Sequence, residues 1–474
     1  MTSRQEQDAM GAVEVPQDAY YGAQTQRARQ NFPISGMTFP TSFIKALALI
    51  KRCAAVANQE LGLLDRARVD AISRAAQEVL DGKMDDQFVL DVFQTGSGTS
   101  TNMNANEVLA ARANEILTGV RSSKHPVHPN DHVNLGQSSN DVIPSALHVA
   151  ALTQIRQELS PALERLCRGL ALKEVEFAEV MKMGRTHLQD AVPIRLGQEF
   201  GGYARQVEAG MERLQRVEAA LAELALGGTA VGNGVNTHPR FAERAIALIS
   251  KETGIAFYEA GNHFEAQGAQ DGAVEVSGVL KCIAVSLNKI ANDIRWLASG
   301  PRCALGEIHL PSLQPGSSIM PGKVNPVIAE AVMQVTAQIV GNDAAITLGG
   351  LGGNFELNTM LPLIAHNLLQ SIQLLSAAAR VFADRCIDGI RANEERCAAT
   401  LEQSLALSTY LVPAIGYDRA AALAQEAHRT GHTIREVALE VGMIPKAEIN
   451  RLLDEAVGKS SGTSPLDQAG RHKT

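Results

Sequence analysis

The segment GSSIMPGKVNP, residues 316–326, concentrates hydroxyl groups, glycines, prolines and one lysine in a chain that is otherwise rich in Leu and Ala. Glycine reaches positive φ and proline fixes φ near about −65°, so the backbone of this segment must turn sharply. It is predicted to be a loop, called the 316–326 loop below. Lys323 gives the loop a localised positive charge that suits an anionic ligand.

Three more turn-rich polar segments stand out beside this loop: TGSGTSTNMNANE (95–107), HPNDHVNLGQSSND (128–141) and GRTHLQD (184–190). Each lies beside an apolar-periodic segment, so each is expected at a helix end, where free backbone N–H groups and the helix dipole favour anions. Their hydroxyl and amide residues are of the types that cap helices. Asn104 and Glu107 have the spacing of a capping box. The simplest interpretation of any single segment is capping alone.

Taken together, these segments predict a site for a small polar carboxylate. They offer hydroxyls, amides, one lysine and one histidine, without a phosphate-binding loop of the G-x-x-x-x-G-K type. His125, His128 and His132 could suggest a metal cluster, but Pro126 and Pro129 between them weaken that interpretation. We therefore expect no metal and no cofactor.

The elements that must position these groups are long helices. From Val276 to Leu297 apolar residues recur at steps of three and four, and a second such stripe runs from Leu196 to Leu224. Further apolar-periodic segments cover about 144–180 and about 327–390, the latter interrupted at GGLGGNFELN. The sequence thus predicts a mainly α chain with a central bundle of long helices. GAVEVP near the start is a candidate strand.

Three domains are predicted: an N-terminal domain over 1–138, a central helical bundle over 139–393 and a small helical domain over 394–474. The Gly/Ser/Pro-rich end predicts a disordered tail from about residue 458.

Charge and hydropathy narrow the functional class. With 43 Lys+Arg against 51 Asp+Glu the net charge is −8, and no basic run suggests binding to nucleic acid. No apolar run approaches about 18 residues and the start lacks the features of a signal peptide, so a cytoplasmic protein without membrane contact is expected.

The motifs together resemble one family. GSSIMPGKVNP resembles the signature loop of the fumarase/aspartase superfamily, and TGSGTSTNMNANEV, HPNDHVNLGQSSND, GRTHLQDA and ALGGTAVGNGVNTHP resemble the other motif blocks of the class II, iron-independent fumarases. The resemblance extends from AYYGAQTQRARQNFPISG to IGYDRAA, nearly the whole chain.

This resemblance implies the reversible anti addition of water to fumarate, giving L-malate through an aci-carboxylate intermediate in the tricarboxylic acid cycle. The residue types alone favour His187 as the base, because imidazole titrates near neutrality. The resemblance implies instead that Ser317 is the base, stabilised as an alkoxide by Lys323 and loop N–H groups, and that His187, paired with Glu330, acts on the water side. The implied substrate-binding residues are Ser97, Thr99, Ser138, Ser139, Asn140, Thr186 and Asn325.

The resemblance also implies a second, peripheral dicarboxylate site at His128, Asn130 and Asp131. It further implies a homotetramer with a twenty-helix core, in which each active site draws on three subunits. The helical stripes are compatible with such an assembly.

Two other functions are weighed against hydration. Aspartate ammonia-lyases share the fold and loop, but Ser139 stands where they commonly have Thr, and NHFEA (262–266) is more similar to the fumarase pattern than to N-L-I-E-A. A non-catalytic structural protein of the same fold is the minor alternative. It predicts loss of site residues, whereas Ser317, Lys323 and His187 are all present.

Overall fold

The computed structural model describes residues 2–458, most of them in α-helices. The helices are α1 (Ala23–Asn31), α2 (Thr41–Glu60), α3 (Arg66–Leu80), α4 (Thr99–Thr118), α5 (Ser139–Gln154), α6 (Ser160–Glu176), α7 (Leu196–Ala222), α8 (Phe241–Thr253), α9 (His263–Gly268), α10 (Asp271–Leu297), α11 (Val327–Gly350), α12 (Leu361–Arg385), α13 (Glu394–Gln403), α14 (Val412–Ile415), α15 (Tyr417–Thr430), α16 (Ile434–Val441) and α17 (Lys446–Ala456).

The strands are short and form two-stranded sheets. They are β1 (Ser3–Asp8), β2 (Gly11–Pro16), β3 (Met181–Thr186), β4 (Gln189–Arg195), β5 (Glu223–Leu224), β6 (Tyr258–Glu259), β7 (Ile308–His309), β8 (Gly353–Asn354), β9 (Leu357–Asn358) and β10 (Arg391–Ala392). The GAVEVP segment is β2 and pairs antiparallel with β1, which confirms the predicted strand.

The mainly α prediction is confirmed, and the two apolar stripes lie on α10 and on α7, except that the last residue of the second stripe, Leu224, lies in β5. The stripe residues of α10 from Val276 to Leu297 are buried, as are Leu196, Phe200 and Tyr203 at the start of α7. Each stripe spaces its apolar side chains along one face, and burying that face is what stabilises helices of this length. Among the described helices, none is both long and apolar enough to cross a membrane.

The chain divides into two compact units. Among the described residues, unit 1 comprises 2–162, 210–285 and 334–378, and unit 2 comprises 163–209, 286–333 and 379–458. Unit 1 contains β1, β2, α1–α5, α8 and α9; unit 2 contains the β3–β4 hairpin and α13–α17. The division predicted from sequence, at about 138 and 393, stays a prediction. The predicted disordered tail from about 458 lies outside the described residues, except for residue 458 itself.

The C-terminal helices of unit 2 enclose a local apolar core. Leu401, Leu411, Leu423, Ile434 and Leu453 are among its buried members. Helix α16 begins with a capping box in which Thr433 and Glu436 each accept from the other's backbone N–H.

The capping box predicted at Asn104 and Glu107 is wrong. Helix α4 already begins at Thr99, so both residues lie inside the helix and are buried. The Glu107 carboxylate instead accepts hydrogen bonds from the backbone N–H groups of Gly22, Gln24 and Thr25, at 2.9, 2.9 and 3.1 Å. It therefore caps the N-terminus of α1, a contact that short-range spacing does not reveal.

Candidate active site

A chain of hydroxyl groups joins the N-termini of α4 and α5 in unit 1. Ser97 Oγ lies 2.7 Å from Thr99 Oγ1, and Thr99 Oγ1 lies 2.6 Å from Ser139 Oγ. We call Ser97, Thr99 and Ser139 the hydroxyl cluster. The backbone N–H groups at the two helix ends and these hydroxyls provide donors of the kind that a carboxylate requires. The structure thus brings together residues predicted from two separate motifs.

Helix α4 begins without a side-chain cap, which leaves Thr99 available to the cluster. Its N-cap is Gly98, with φ 72°. A Cβ at Gly98 would lie 2.9 Å from Ile143 Cγ2, so glycine satisfies both the left-handed backbone and the close approach of α5. The Thr99 hydroxyl, on the first residue of the helix, bonds to Ser97 and Ser139.

Helix α5 begins with a capping box that orients the adjacent site residues. Ser138 is the N-cap; its Oγ accepts from Asn140 N at 3.2 Å, and Asp141 Oδ1 accepts from Ser138 N at 2.9 Å. The Asn140 side chain donates through Nδ2 to Ala230 O at 2.8 Å. The predicted capping role of Ser138 is confirmed, and the box fixes the turn that presents Ser139 and Asn140.

Asp141 also fastens a second loop to this turn. Its Oδ2 accepts from Gly227 N and Thr229 N, both at 3.0 Å, and the residue is fully buried. Burial raises the pKa of the Asp141 carboxyl, while these backbone donors and Lys51 act in the opposite direction. A buried carboxylate with several N–H donors holds those donors firmly in place, because losing any of them would leave part of its charge without a hydrogen bond.

In unit 2, Thr186 and His187 lie at the tip of the β3–β4 hairpin. Thr186 pairs with Gln189, and the two turn residues His187 and Leu188 have φ of 57° and 59°. Positive φ at both central positions matches the tight two-residue turns favoured in hairpins. The expected helix end at GRTHLQD is therefore wrong: the reversal at His187 and Leu188 continues into strand, not helix.

A buried ionic network anchors the base of this hairpin. Arg185 makes two hydrogen bonds to the fully buried carboxylate of Glu307, at 2.7 and 3.0 Å. Lys182 Nζ lies 3.2 Å from Glu307 Oε2 and 2.8 Å from Glu199 Oε1. Burial raises the pKa of Glu199, and Lys182 opposes that rise. The exposed tip that carries His187 is thus attached to a part of the hairpin that this ionic network holds in place.

The 316–326 loop is confirmed as irregular structure, and short hydrogen bonds close it on itself. Gly316 N donates to Lys323 O at 2.7 Å, and Asn325 Nδ2 donates to Gly316 O at 2.9 Å. A Cβ at Gly316 would lie 2.7 Å from Lys323 O, so only glycine permits this closure. Asn325 therefore ties the two ends of the loop together.

Ser317 lies inside the loop with its oxygen facing backbone donors. Ser317 Oγ accepts from Ile319 N at 3.2 Å and from Met320 N at 3.1 Å. Ser317 and Lys323 both line a cavity of about 460 Å³ formed by residues 312–324. Donors directed at a serine oxygen are suited to stabilising negative charge on it.

The pairing implied for His187 and Glu330 is not made within one chain. Across residues 2–458, no hydrogen bond or ion pair joins these two side chains. Glu330 lies in the first turn of α11, directly after the loop. The pairing and the roles of both residues stay predictions.

Two residues of the second predicted site, His128 and Asp131, line a cavity of about 620 Å³ in unit 1. His128 caps a π-helical turn, Pro129–Val133, by accepting at Nδ1 from Asn130 N and Asp131 N, both at 3.2 Å. Arg68 and Lys124 also line the cavity. His128 Nδ1 also lies 3.3 Å from Asp131 Oδ2. Within the described part of the chain, no group of three His, Cys, Asp or Glu side chains could hold a metal ion.

Sequence analysis missed three supporting residues. Asp141 and Arg185 were inside quoted motifs, next to residues chosen for chemistry, but their partners are remote in sequence. Lys51 lies within the apolar face of α2 and is fully buried. Its position as a lone charge in an otherwise apolar helix face was the sequence feature that could have identified Lys51.

Comparisons with family models cover most of the chain. A model described as lyase matches residues 11–341, and one described as the fumarase C C-terminus matches residues 407–456.

Relatives of similar length carry one name. The chain is 54% identical over 451 residues to the class II fumarate hydratase of Nitrosomonas europaea, covering 95% of this chain and 98% of the relative. It is 57% identical over 451 residues to that of Halobacterium salinarum, covering 95% and 96%.

Solved structures agree over almost the full length. A class II fumarase from Schistosoma mansoni superposes with a TM-score of 0.93 at 39% identity, covering 97% of this chain and all of that one. A fumarate lyase/delta crystallin from Brucella melitensis, bound to cobalt, superposes with a TM-score of 0.91 at 46% identity, with 97% of this chain and all of that chain covered.

Proposed function

This chain belongs to the class II fumarate hydratase family, and from that membership we propose that its two groups of site residues jointly catalyse the reversible anti addition of water to fumarate, giving L-malate. The proposal assigns substrate binding mainly to unit 1 and proton transfer to unit 2. The observation that carries the proton-transfer assignment is the pair of backbone N–H groups directed at Ser317 Oγ, at 3.2 and 3.1 Å.

The hydroxyl cluster binds one substrate carboxylate. Thr99 and Ser139 lie 2.6 Å apart at the N-termini of α4 and α5, and Ser97 extends the row. A carboxylate that enters this row receives hydroxyl and backbone donors and the positive ends of two helix dipoles. Ser138 and Asn140 fix the adjoining turn and add further donors.

Ser317 removes the proton from C3 of L-malate. In its alkoxide form the serine takes that proton and becomes a hydroxyl, and the electron pair of the C–H bond moves onto the neighbouring carboxylate as an aci-carboxylate. Lys323 and Asn325 bind that carboxylate and stabilise its added charge. The N–H groups of Ile319 and Met320 lower the cost of negative charge on Ser317 Oγ.

His187 acts on the other face of the substrate. Protonated imidazole donates to the C2 hydroxyl as the C–O bond breaks, so water leaves and the aci-carboxylate electrons form the C2–C3 double bond of fumarate. In this proposal Glu330 pairs with His187 and orients its ring, and Thr186 binds substrate beside it. The anti geometry follows from placing base and acid on opposite faces.

The active form in this proposal is a homotetramer whose sites each draw on three subunits. Helix α11 supports self-association because it is apolar on its outer side as well. Val340 and Leu348 are 42% and 63% exposed on it, and Leu351 after it is 76% exposed. Apolar side chains in such a row are typical of a surface that another helix covers.

The second dicarboxylate site is proposed at His128, Asn130 and Asp131. Arg68 and Lys124 line the same cavity and add positive charge for an anionic ligand. A cytoplasmic enzyme of the tricarboxylic acid cycle is the cellular role that fits this reaction.

Ultraviolet absorbance of fumarate tests the reaction and separates it from the ammonia-lyase alternative. Purified protein is given L-malate, L-aspartate, or fumarate with and without ammonium. Fumarate formation from L-malate, and its ammonium-independent loss in the reverse direction, is expected. Fumarate formation from L-aspartate alone would show that the leaving group is ammonia and not water. No change with either substrate would favour the non-catalytic alternative.

A further inference from the structure

Lys51 is a charged residue that the proposed reaction does not use, and it is fully buried in the middle of α2. Its Nζ donates to Asn134 Oδ1 at 2.8 Å and to Gln137 Oε1 at 3.0 Å. Burial lowers the pKa of Lys51 to about 7, against a weaker opposing effect of Asp141. A buried ammonium is costly, so its contacts show what it stabilises.

The first contact joins α2 to α4 through one oxygen. Asn134 Oδ1 accepts from Lys51 Nζ and also from Asn102 Nδ2 and Asn106 Nδ2, both at 3.2 Å. Asn102 and Asn106 lie one turn apart near the start of α4, the helix that begins with Thr99. The start of α4 is thereby fixed to the Asn134 side chain.

The second contact fixes the turn that leads into α5. Gln137 N donates to Asn134 O at 3.0 Å, and Asn134 Nδ2 donates to Gln137 O at 3.0 Å. Gln137 immediately precedes Ser138, the N-cap of α5. By holding both amide side chains, the Lys51 ammonium fixes the orientation of the turn.

The groups bonded to Lys51 are the side-chain amides of Asn134 and Gln137 on this turn, and the ionisable group that interacts with it is Asp141 on α5. Asp141 in turn accepts from Ser138 N, Gly227 N and Thr229 N. The Lys51 and Asp141 side chains thus both bond to backbone or amide groups around the start of α5.

We propose that Lys51 is a positioning residue, which sets the N-termini of α4 and α5 at the spacing that lets Thr99 and Ser139 bind one carboxylate together. This inference rests on the proposed binding role of the hydroxyl cluster. It gives the buried lysine a role in substrate affinity and none in proton transfer.

Steady-state kinetics of Lys51→Met tests the inference, with Lys45→Met as the matched control. Lys45 lies on the same helix but is only partly buried. Lys51→Met is expected to raise KM for fumarate at least about 10-fold while kcat changes less than about 3-fold, because misaligning Thr99 and Ser139 removes about one hydrogen bond to the charged substrate carboxylate. Lys45→Met should change neither constant. A fall in kcat with unchanged KM would contradict the inference.

A double-mutant cycle with Thr99→Val separates this inference from the proposed function. If Thr99→Val alone leaves KM unchanged, the binding role of the cluster fails, and the inference with it. If Thr99→Val raises KM and Lys51→Met does not, only the inference fails. If Thr99 and Lys51 act through the same alignment, the fold increase in KM of the double variant should be smaller than the product of the two single increases. A double variant whose increase equals that product would overturn the positioning role of Lys51.

Asn102→Ala provides a milder test should Lys51→Met not be recovered folded. It removes one hydrogen bond between α4 and Asn134 and leaves the ammonium in place. KM is expected to rise about 3-fold at unchanged kcat. An unchanged KM in this variant would overturn the inference.

Discussion

The hydroxyl cluster of unit 1 and the 316–326 loop of unit 2 are held in different ways. The cluster side chains bond to one another across two helix ends, and Ser139 is 8% exposed. The loop is largely exposed, with Ile319 at 83%. Among the described residues, its hydrogen bonds stay within the loop and the first turn of α11.

The difference matches two tasks. Donors that recognise a carboxylate gain from being fixed before the substrate arrives, because no ordering cost is then incurred on binding. A base that must be shielded from water gains from a segment with few contacts to its surroundings, which can open and close. We therefore expect changes in the cluster to act on KM or stability, and changes in the loop to act on kcat.

The largest expected effect is in the loop. Ser317→Ala should lower kcat about 10³-fold, the size associated with losing a general base, with little effect on the thermal midpoint. Ser318→Ala is the matched control, since it removes the adjacent hydroxyl. The fumarate absorbance assay measures both. If the two variants had the same kcat, Ser317 would not be the base.

The next largest effect is on the free energy of unfolding and concerns Asp141, which supports the hydroxyl cluster. Asp141→Asn should destabilise the fold by about 2 kcal/mol, because an amide NH₂ would face N–H groups that now donate to the carboxylate. Gly322→Ala in the exposed loop, at φ 81°, should cost less, since the helical core does not depend on it. Thermal melts compare the two. A lower midpoint for the loop variant would reverse the comparison.

Ser139→Ala should raise KM for fumarate about 10-fold with kcat nearly unchanged, because one donor to a charged carboxylate is lost. Ser145→Ala is the control, since the Ser145 hydroxyl lies on the same helix but donates to the backbone oxygen of Asp141. Initial rates over a range of fumarate concentrations measure both constants. A change confined to kcat would assign Ser139 to the chemical step.

The smallest effect is the pH dependence of stability. The pKa of Lys51 is about 7 in the folded chain and about 10.5 when unfolded. Between these values the unfolded state binds more protons, so the contribution of Lys51 to stability rises with pH and is least favourable below pH 7. The thermal midpoint of the unsubstituted protein, relative to Lys51→Met, should rise by about 1–2 °C per pH unit from pH 7 to 9.

Lys45→Met on the same helix is the control for losing a lysine, and its midpoint difference should not follow this trend. A constant difference between the unsubstituted protein and Lys51→Met across the range would mean that Lys51 does not titrate there.

Local sequence patterns predicted what depends on neighbours along the chain. Glycines and prolines identified the 316–326 loop, and the three-and-four spacing from Val276 identified α10. The same approach failed at Glu107, where a capping-box spacing was present but the helix had begun at Thr99. It also failed at His187, because a tight turn is formed there by residues that lack the glycine usual at positive φ.

By itself the sequence determined the long periodic helices α7 and α10, the 316–326 loop and the set of polar residue types, since periodicity and backbone restriction act over a few residues. Only the tertiary structure decided which polar groups meet. Thr99 and Ser139 are 40 positions apart, and Lys51 reaches Asn134 across 83 positions. Contacts over such separations depend on how whole helices pack, because each helix end can satisfy its donors in several ways until its neighbours are in place.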